Sequence, residues 1–146
     1  MKNMKHKLLV IIFLALSTFC LSISAQAQAV LSIFKKYGND NGVTMLEASR
    51  ELMKVYNIKT FKSIIFDDAS LVLHEIRRAI KTDKVGALHI KESTKDGLLT
   101  SGYYQLPAGK ANLNRYLIFK VGTANKTTLI YVEGELSPEE LVELLK

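Results

Sequence analysis

The chain predicts an α+β fold: a two-layer sandwich in which helices pack on a mainly antiparallel sheet, with a C-terminal four-strand meander followed by a short helix. Three observations carry this. Apolar residues recur at helical spacing early in the chain, at Val30, Ile33, Phe34 and Tyr37 and again at Ala69, Val72, Leu73, Ile76 and Ile80. From Val85 to Glu133 the period falls to two, punctuated by turn residues. Ser137-Pro138-Glu139-Glu140 then opens a last helix with a capping box and proline at the first helical position.

The elements follow in order. A helix over Ala29 to Tyr37 stops at Gly38, and Asn39-Asp40-Asn41-Gly42 is turn chemistry. Val43-Thr44-Met45-Leu46 suits a short strand, after which Ser49 caps a helix to about Tyr56. Leu46, Leu52, Met53 and Tyr56 would equally share a face of one longer helix. Phe61 to Phe66, with Ile64-Ile65-Phe66 closed by two acids, reads as a buried strand. Asp67 or Asp68 then caps the clearest helix, Ala69 to about Lys81. Lys81 and Lys84 near its end suit the negative pole of the helix dipole.

In the meander, Gly86 to Glu92 alternates Leu88 and Ile90 against Ala87, His89 and Lys91, and Lys95-Asp96-Gly97 signals a hairpin. Leu98 to Leu106, Arg115 to Val121 and Thr127 to Glu133 are the next strands, with Pro107 to Asn112 and Gly122 to Lys126 between them. Leu141, Val142, Leu144 and Leu145 form the apolar face of the closing helix.

Ahead of all this stands an address. Lys2, Lys5 and Lys7 precede an apolar stretch from Leu8 to Ile23, and Ala25-Gln26-Ala27-Gln28-Ala29 offers two overlapping A-x-A sites. Basic anchor, short apolar run and small-residue exit make residues 1–27 a cleavable signal peptide, with a second cut available after Ala29. Ser17, Thr18 and Ser22 interrupt the run, which falls short of the roughly twenty apolar residues of a permanent span. Phe19 stands where a lipobox requires a small residue, which argues against lipidation at Cys20. A cut after Ala27 leaves residues 28–146 as one domain without cysteine, destined for the periplasm or beyond and unable to use disulfides. It also takes the formal charge from +6 to +3, so charge gives no ground for nucleic-acid binding.

Motifs for chemistry are sparse. His74-Glu75 begins like a zinc-protease helix, but Arg78 occupies the position of the second histidine. Two histidines outside the leader, His74 and His89, are poor material for a metal site, and the expectation is no metal, no cofactor and no catalytic residue. Asp67-Asp68 reads as a cap in preference to an acid–base pair, and neither a G-x-S-x-G elbow nor a glycine-rich phosphate loop occurs.

Two sets of residues form the candidate binding surface. His74, Arg77, Arg78 and Lys81 share one helical stripe that an anionic glycan, a lipid headgroup or a protein partner would fit, beside the simpler reading of a solvated face. Tyr103, Tyr116 and Tyr131 lie on neighbouring strands. They are either an aromatic binding surface or core residues with their hydroxyls at the rim.

Phe34-Lys35-Lys36-Tyr37-Gly38, then Gly42-Val43-Thr44, and the closing Leu129-Ile130-Tyr131-Val132-Glu133-Gly134-Glu135-Leu136 together resemble a family of small exported domains of unknown function from gut anaerobes. The resemblance spans most of the chain after the leader and implies that Gly42-Val43-Thr44 belongs to a strand. It also implies an envelope location, no known activity and, through genes neighbouring stress sigma factors, a part in envelope stress. The Lys110-Ala111-Asn112-Leu113-Asn114 loop and the missing lipobox depart from that pattern. The expected function is a non-enzymatic binding or envelope-maintenance domain, first of all a protein-interaction module that uses the tyrosine-bearing face of the meander. The alternatives are an enzyme acting on an envelope polymer and a carrier of a small ligand or lipid.

Overall fold

The computed structural model describes residues 27–146; the leader expected over residues 1–27, apart from Ala27, and Cys20 lie outside the described residues. Helix α1 (Gln28–Tyr37) leads to strand β1 (Val43–Leu46), helix α2 (Arg50–Val55) and strand β2 (Ile58–Phe66). Helix α3 (Leu73–Asp83) then precedes β3 (His89–Lys95), β4 (Leu98–Leu106), β5 (Asn114–Val121) and β6 (Thr127–Gly134), and α4 (Pro138–Leu144) closes the fold. The six strands form one antiparallel sheet in the order β1-β2-β6-β5-β4-β3. The predicted meander is therefore real and contiguous, and β2 pairs with its last strand.

Helices α1 and α3 cover one face. Val30, Ile33 and Phe34 of α1 and Leu73, Ile76, Ala79 and Ile80 of α3 meet Ile64, Phe66, Tyr104, Leu106, Leu117, Phe119, Leu129 and Tyr131 of the sheet. Alternation sends Tyr116 and Val132 to the opposite face. There they join Ile58, Leu136 and Leu141 in a smaller cluster backed by Met53, Tyr56 and Leu144 of the two short helices. The expected α+β sandwich thus has its main second layer on one face and two short helices over part of the other.

Local chemistry explains most boundaries. Asp96 and Gly97, at φ 53° and 75°, form the two-residue hairpin turn that joins Lys95 to its partner Leu98. At α4 the Ser137 hydroxyl accepts from Glu140 N at 3.2 Å while the Glu140 carboxylate accepts from Ser137 N at 2.7 Å. The region left open between strand-plus-helix and one long helix resolves as β1 and α2, with Ser49 Oγ accepting from Leu52 N at 3.2 Å.

Three expectations are corrected. Asp68 does not cap a helix starting at Ala69: its Oδ1 accepts from Ser70 N at 2.9 Å, closing a tight turn, and α3 begins four residues later at Leu73 and runs to Asp83. The strand expected from Gly86 starts at His89, because Gly86 at φ 76° completes a turn in which Ala87 N donates to Lys84 O at 3.0 Å. In α4 only Leu141 is fully buried; Val142 and Leu145 are exposed, since a seven-residue helix presents only one narrow stripe to the sheet.

Candidate functional site

The uncovered part of the second face lies over β3 and β4. Register places His89 opposite Gln105 and Lys91 opposite Tyr103, so these four side chains share a face. Pro138, Glu139 and Val142 of α4 stand along one side of them and Leu88 along another, enclosing a groove of about 690 Å³. Leu88 is 67% and Val142 53% exposed, so aliphatic surface borders the depression.

Tyr103 floors the groove. Its ring meets the His89 ring edge-on at 6.0 Å between centroids and the Tyr116 ring at 6.2 Å. Burial, with the nearby Glu139 carboxylate, pushes its hydroxyl above the ordinary tyrosine range. Tyr116 lies deeper and is fully buried, its hydroxyl donating to Leu136 O at 2.9 Å. Burial first, then the charge of Tyr103, Glu139 and Glu140, raises it to about 12. Both phenols stay neutral hydrogen-bonding groups at any ordinary pH. Strand β3 forms one side of the groove through His89 and Lys91; every residue of it is exposed and its outer edge pairs with no strand among those described.

Tyr131 does not belong with these two. It pairs with Leu117, one residue out of phase with the Tyr116–Val132 pair, and therefore faces the helix-covered core. Its hydroxyl donates to Glu133 Oε2 at 2.9 Å, and burial shifts it upward. The three tyrosines thus form a pair plus a core residue.

The basic stripe is also divided. His74, Arg78 and Lys81 stand exposed on the outer side of α3. Arg77 is half-buried, its Nε donating to Leu99 O at 2.9 Å, so it pins α3 to β4. Glu75 turns to α1, accepting from Lys36 Nζ at 3.0 Å and from the Tyr37 hydroxyl at 2.5 Å. The Tyr37 hydrogen bond and then Lys36 hold its carboxyl below the ordinary range.

The other displaced carboxylates likewise join elements of the fold. Glu92 of β3 accepts from Lys84 Nζ at 2.5 Å and from the Tyr104 hydroxyl at 2.8 Å, and these bonds hold it below its usual value. Tyr104 lies flat across Gly102: a Cβ built there would come within 2.6 Å of the Tyr104 ring carbons Cε2 and Cζ. Asp83 is buried and caps α1 from a distance, its Oδ2 accepting from Val30 N at 2.7 Å and its Oδ1 from Ala29 N at 3.3 Å. Among the described residues no group of three or more His, Cys, Asp or Glu is placed to hold a metal. No described helix is long and apolar enough to cross a membrane.

The groove residues were only partly foreseeable. Tyr103 stood out as an aromatic on a strand, whereas Leu88, His89, Gln105, Glu139 and Val142 meet only because α4 docks where it does. The alternation of Leu88 against His89 in sequence was the one available signal, and it does not say which face stays open.

The fold is a small α+β domain with a groove over β3 and β4. Residues 19–145 match the model of a family of unknown function (DUF6108), and the chain belongs to that family. Neither the curated proteins nor the solved structures give a match.

Proposed function

We propose that the chain is an exported, non-enzymatic binding domain of the cell envelope, and that its groove takes an extended segment of a protein partner. The leader of residues 1–27 supports export, and the observation that carries the binding reading is the groove itself. Half-buried Tyr103 lies between exposed Leu88 and Val142, beside the free edge of β3. An added strand would satisfy the unpaired amides and carbonyls of that edge while its side chains enter the groove, the mode by which sheets extend themselves with peptides. Tyrosine is among the side chains in which such contacts gather their energy. His74, Arg78 and Lys81 on the far side of the molecule would suit a second, anionic ligand such as a glycan or lipid headgroup.

The test is capture from envelope fractions with the wild-type chain and with Val142→Glu and Tyr103→Ala, followed by amide exchange on β3 with the captured partner. The reading expects one partner lost from both variants and β3 amides that slow on binding. A partner retained by both variants, with β3 exchange unchanged, would remove it.

A further inference from the structure

The buried carboxylate of Asp83 sits at the start of α1, only 5% exposed. Its hydrogen-bond partners are the amides of Ala29 and Val30, the second and third residues of the helix. It makes no ion pair among the described residues. Close by on the same face, Arg115 stands opposite Glu133, which accepts from Tyr131, and the Arg115 charge reaches both Asp83 and Tyr131. Asp83 and Glu133 thus lie within the field of the same guanidinium, and a buried carboxylate held by two amides gains from a further cation.

The chain holds a candidate one residue away. Helix α1 begins at Gln28, the residue that follows the first A-x-A site. Ala27, the residue on the other side of that bond, has φ 68°, a left-handed conformation that strains a residue bearing a Cβ, and it offers no side-chain cap. A cut after Ala27 removes the strained residue and turns Gln28 N into an α-ammonium beside the carboxylate that already holds the next two amides. It gives up the Leu31 N to Ala27 O bond of 3.0 Å and one buried alanine. A cut after Ala29 would also delete the Ala29 N–Asp83 bond and shorten the helix.

We propose that Gln28 is the first residue of the processed chain and that its α-ammonium is the counter-ion of Asp83, locking α1 onto the end of α3. The inference rests on the export reading. Processing then completes the fold: the new terminus closes a charge cluster on which the main helical layer depends. An ammonium is ordinarily unfavourable at the positive end of a helix dipole, and Asp83 is placed to reverse that.

The experiment exports the full chain in a bacterial host and measures the intact mass of the processed protein. Its melting is then compared with that of the same protein after Gln28 is cyclised to the uncharged lactam by glutaminyl cyclase, in wild type and in Asp83→Asn. The proposal expects a mass starting at Gln28 and a loss on cyclisation of roughly 3–6 °C in wild type, with little change in Asp83→Asn. Should Asp83→Asn not fold, a pH series on the wild type serves. The ammonium pKa is raised by Asp83, so its stabilisation is full below the ordinary α-amino value near 8. It fades as pH climbs through the raised value, and the cyclised form lacks this fade. Tyr131, shifted upward by burial, keeps its charge state across that window. A mass starting at Val30, equal losses in both backgrounds, or matching pH profiles would overturn the ion pair and leave export standing. An uncut chain would overturn export as well.

Discussion

Substituting Gly102 by alanine tests the packing of the β3–β4 hairpin against the main core. On open backbone in a strand, Gly→Ala stabilises by about 0.5–1 kcal/mol through the unfolded chain. At Gly102 the sign reverses. The new methyl would sit 2.6 Å from ring carbons of the fully buried Tyr104, and the ring has no lateral freedom because its hydroxyl is tied to Glu92 at 2.8 Å. Overpacking costs about 1–3 kcal/mol, and losing a hydrogen bond to a charged acceptor about 1.5–3 kcal/mol. Net of the backbone gain, Gly102→Ala is expected to destabilise by about 3 kcal/mol, lowering Tm by roughly 10–15 °C in a domain of this size. The check is a cycle in urea with Tyr104→Leu, which removes the ring. In that background the alanine should cost nothing or stabilise slightly. A Gly102→Ala penalty of the same size in both backgrounds, or a stabilised single variant, would refute the argument.

Other expectations follow from the same geometry. Ser137→Ala should lose the reciprocal cap of α4 and about 1 kcal/mol in urea denaturation, with β3–β4 exchange little altered. Ile76→Ala, at a fully buried position of α3, should cost about 2–5 kcal/mol, whereas Val142→Lys on the groove wall should stay within about 0.5 kcal/mol of wild type. Glu92 is held below its ordinary range by Lys84 and Tyr104, and Glu75 by Tyr37 and Lys36. Their contributions are therefore complete above the ordinary carboxylate value near 4.3 and disappear as pH falls through the lowered ones. Asp83, raised by burial, runs the other way, its protonated form being favoured as pH falls. Melting curves between neutral pH and about pH 3 should show the acid loss shallower in Glu92→Gln than in wild type.

What the sequence discloses divides by the range of the interaction involved. The capping box at Ser137, the Asp96-Gly97 turn and the core face of α3 are set by residues within one or two turns of each other, and all stand where periodicity puts them. The start of α3 at Leu73 escaped because Asp68 offers its carboxylate to Ser70, a choice between two local turns of nearly equal merit. The tyrosines show a different limit. Alternation separates Tyr116 from Leu117 and Ile130 from Tyr131 within each strand, but only the β5–β6 register says that Tyr131 lies opposite Leu117. One residue of register transfers a phenol from the open face to the core. Arg77 illustrates the same point: its helical spacing matches the exposed stripe, yet its guanidinium reaches Leu99 O on another element.

The location of the groove follows from a mismatch between sheet and helices. The segment between β2 and β3, strands separated in the sheet by β6, β5 and β4, crosses one face, and its helix α3 packs there with α1 over the larger core. The opposite face has only α2 and α4, six and seven residues long, enough to cover Ile58, Tyr116 and Val132 but not the hairpin beyond them. At about 1.5 Å per residue, α4 extends only some 10 Å, little more than two strand spacings. Tyr103 falls just past that limit, and Val142 is left facing the gap. Its floor and walls mix apolar Tyr103, Leu88 and Val142 with polar His89, Lys91, Gln105 and Glu139. The few polar groups of such a depression can fix the orientation of what its apolar surface holds. The physical case for a binding face therefore rests on that mixed lining, set beside a strand edge that still has hydrogen bonds to make.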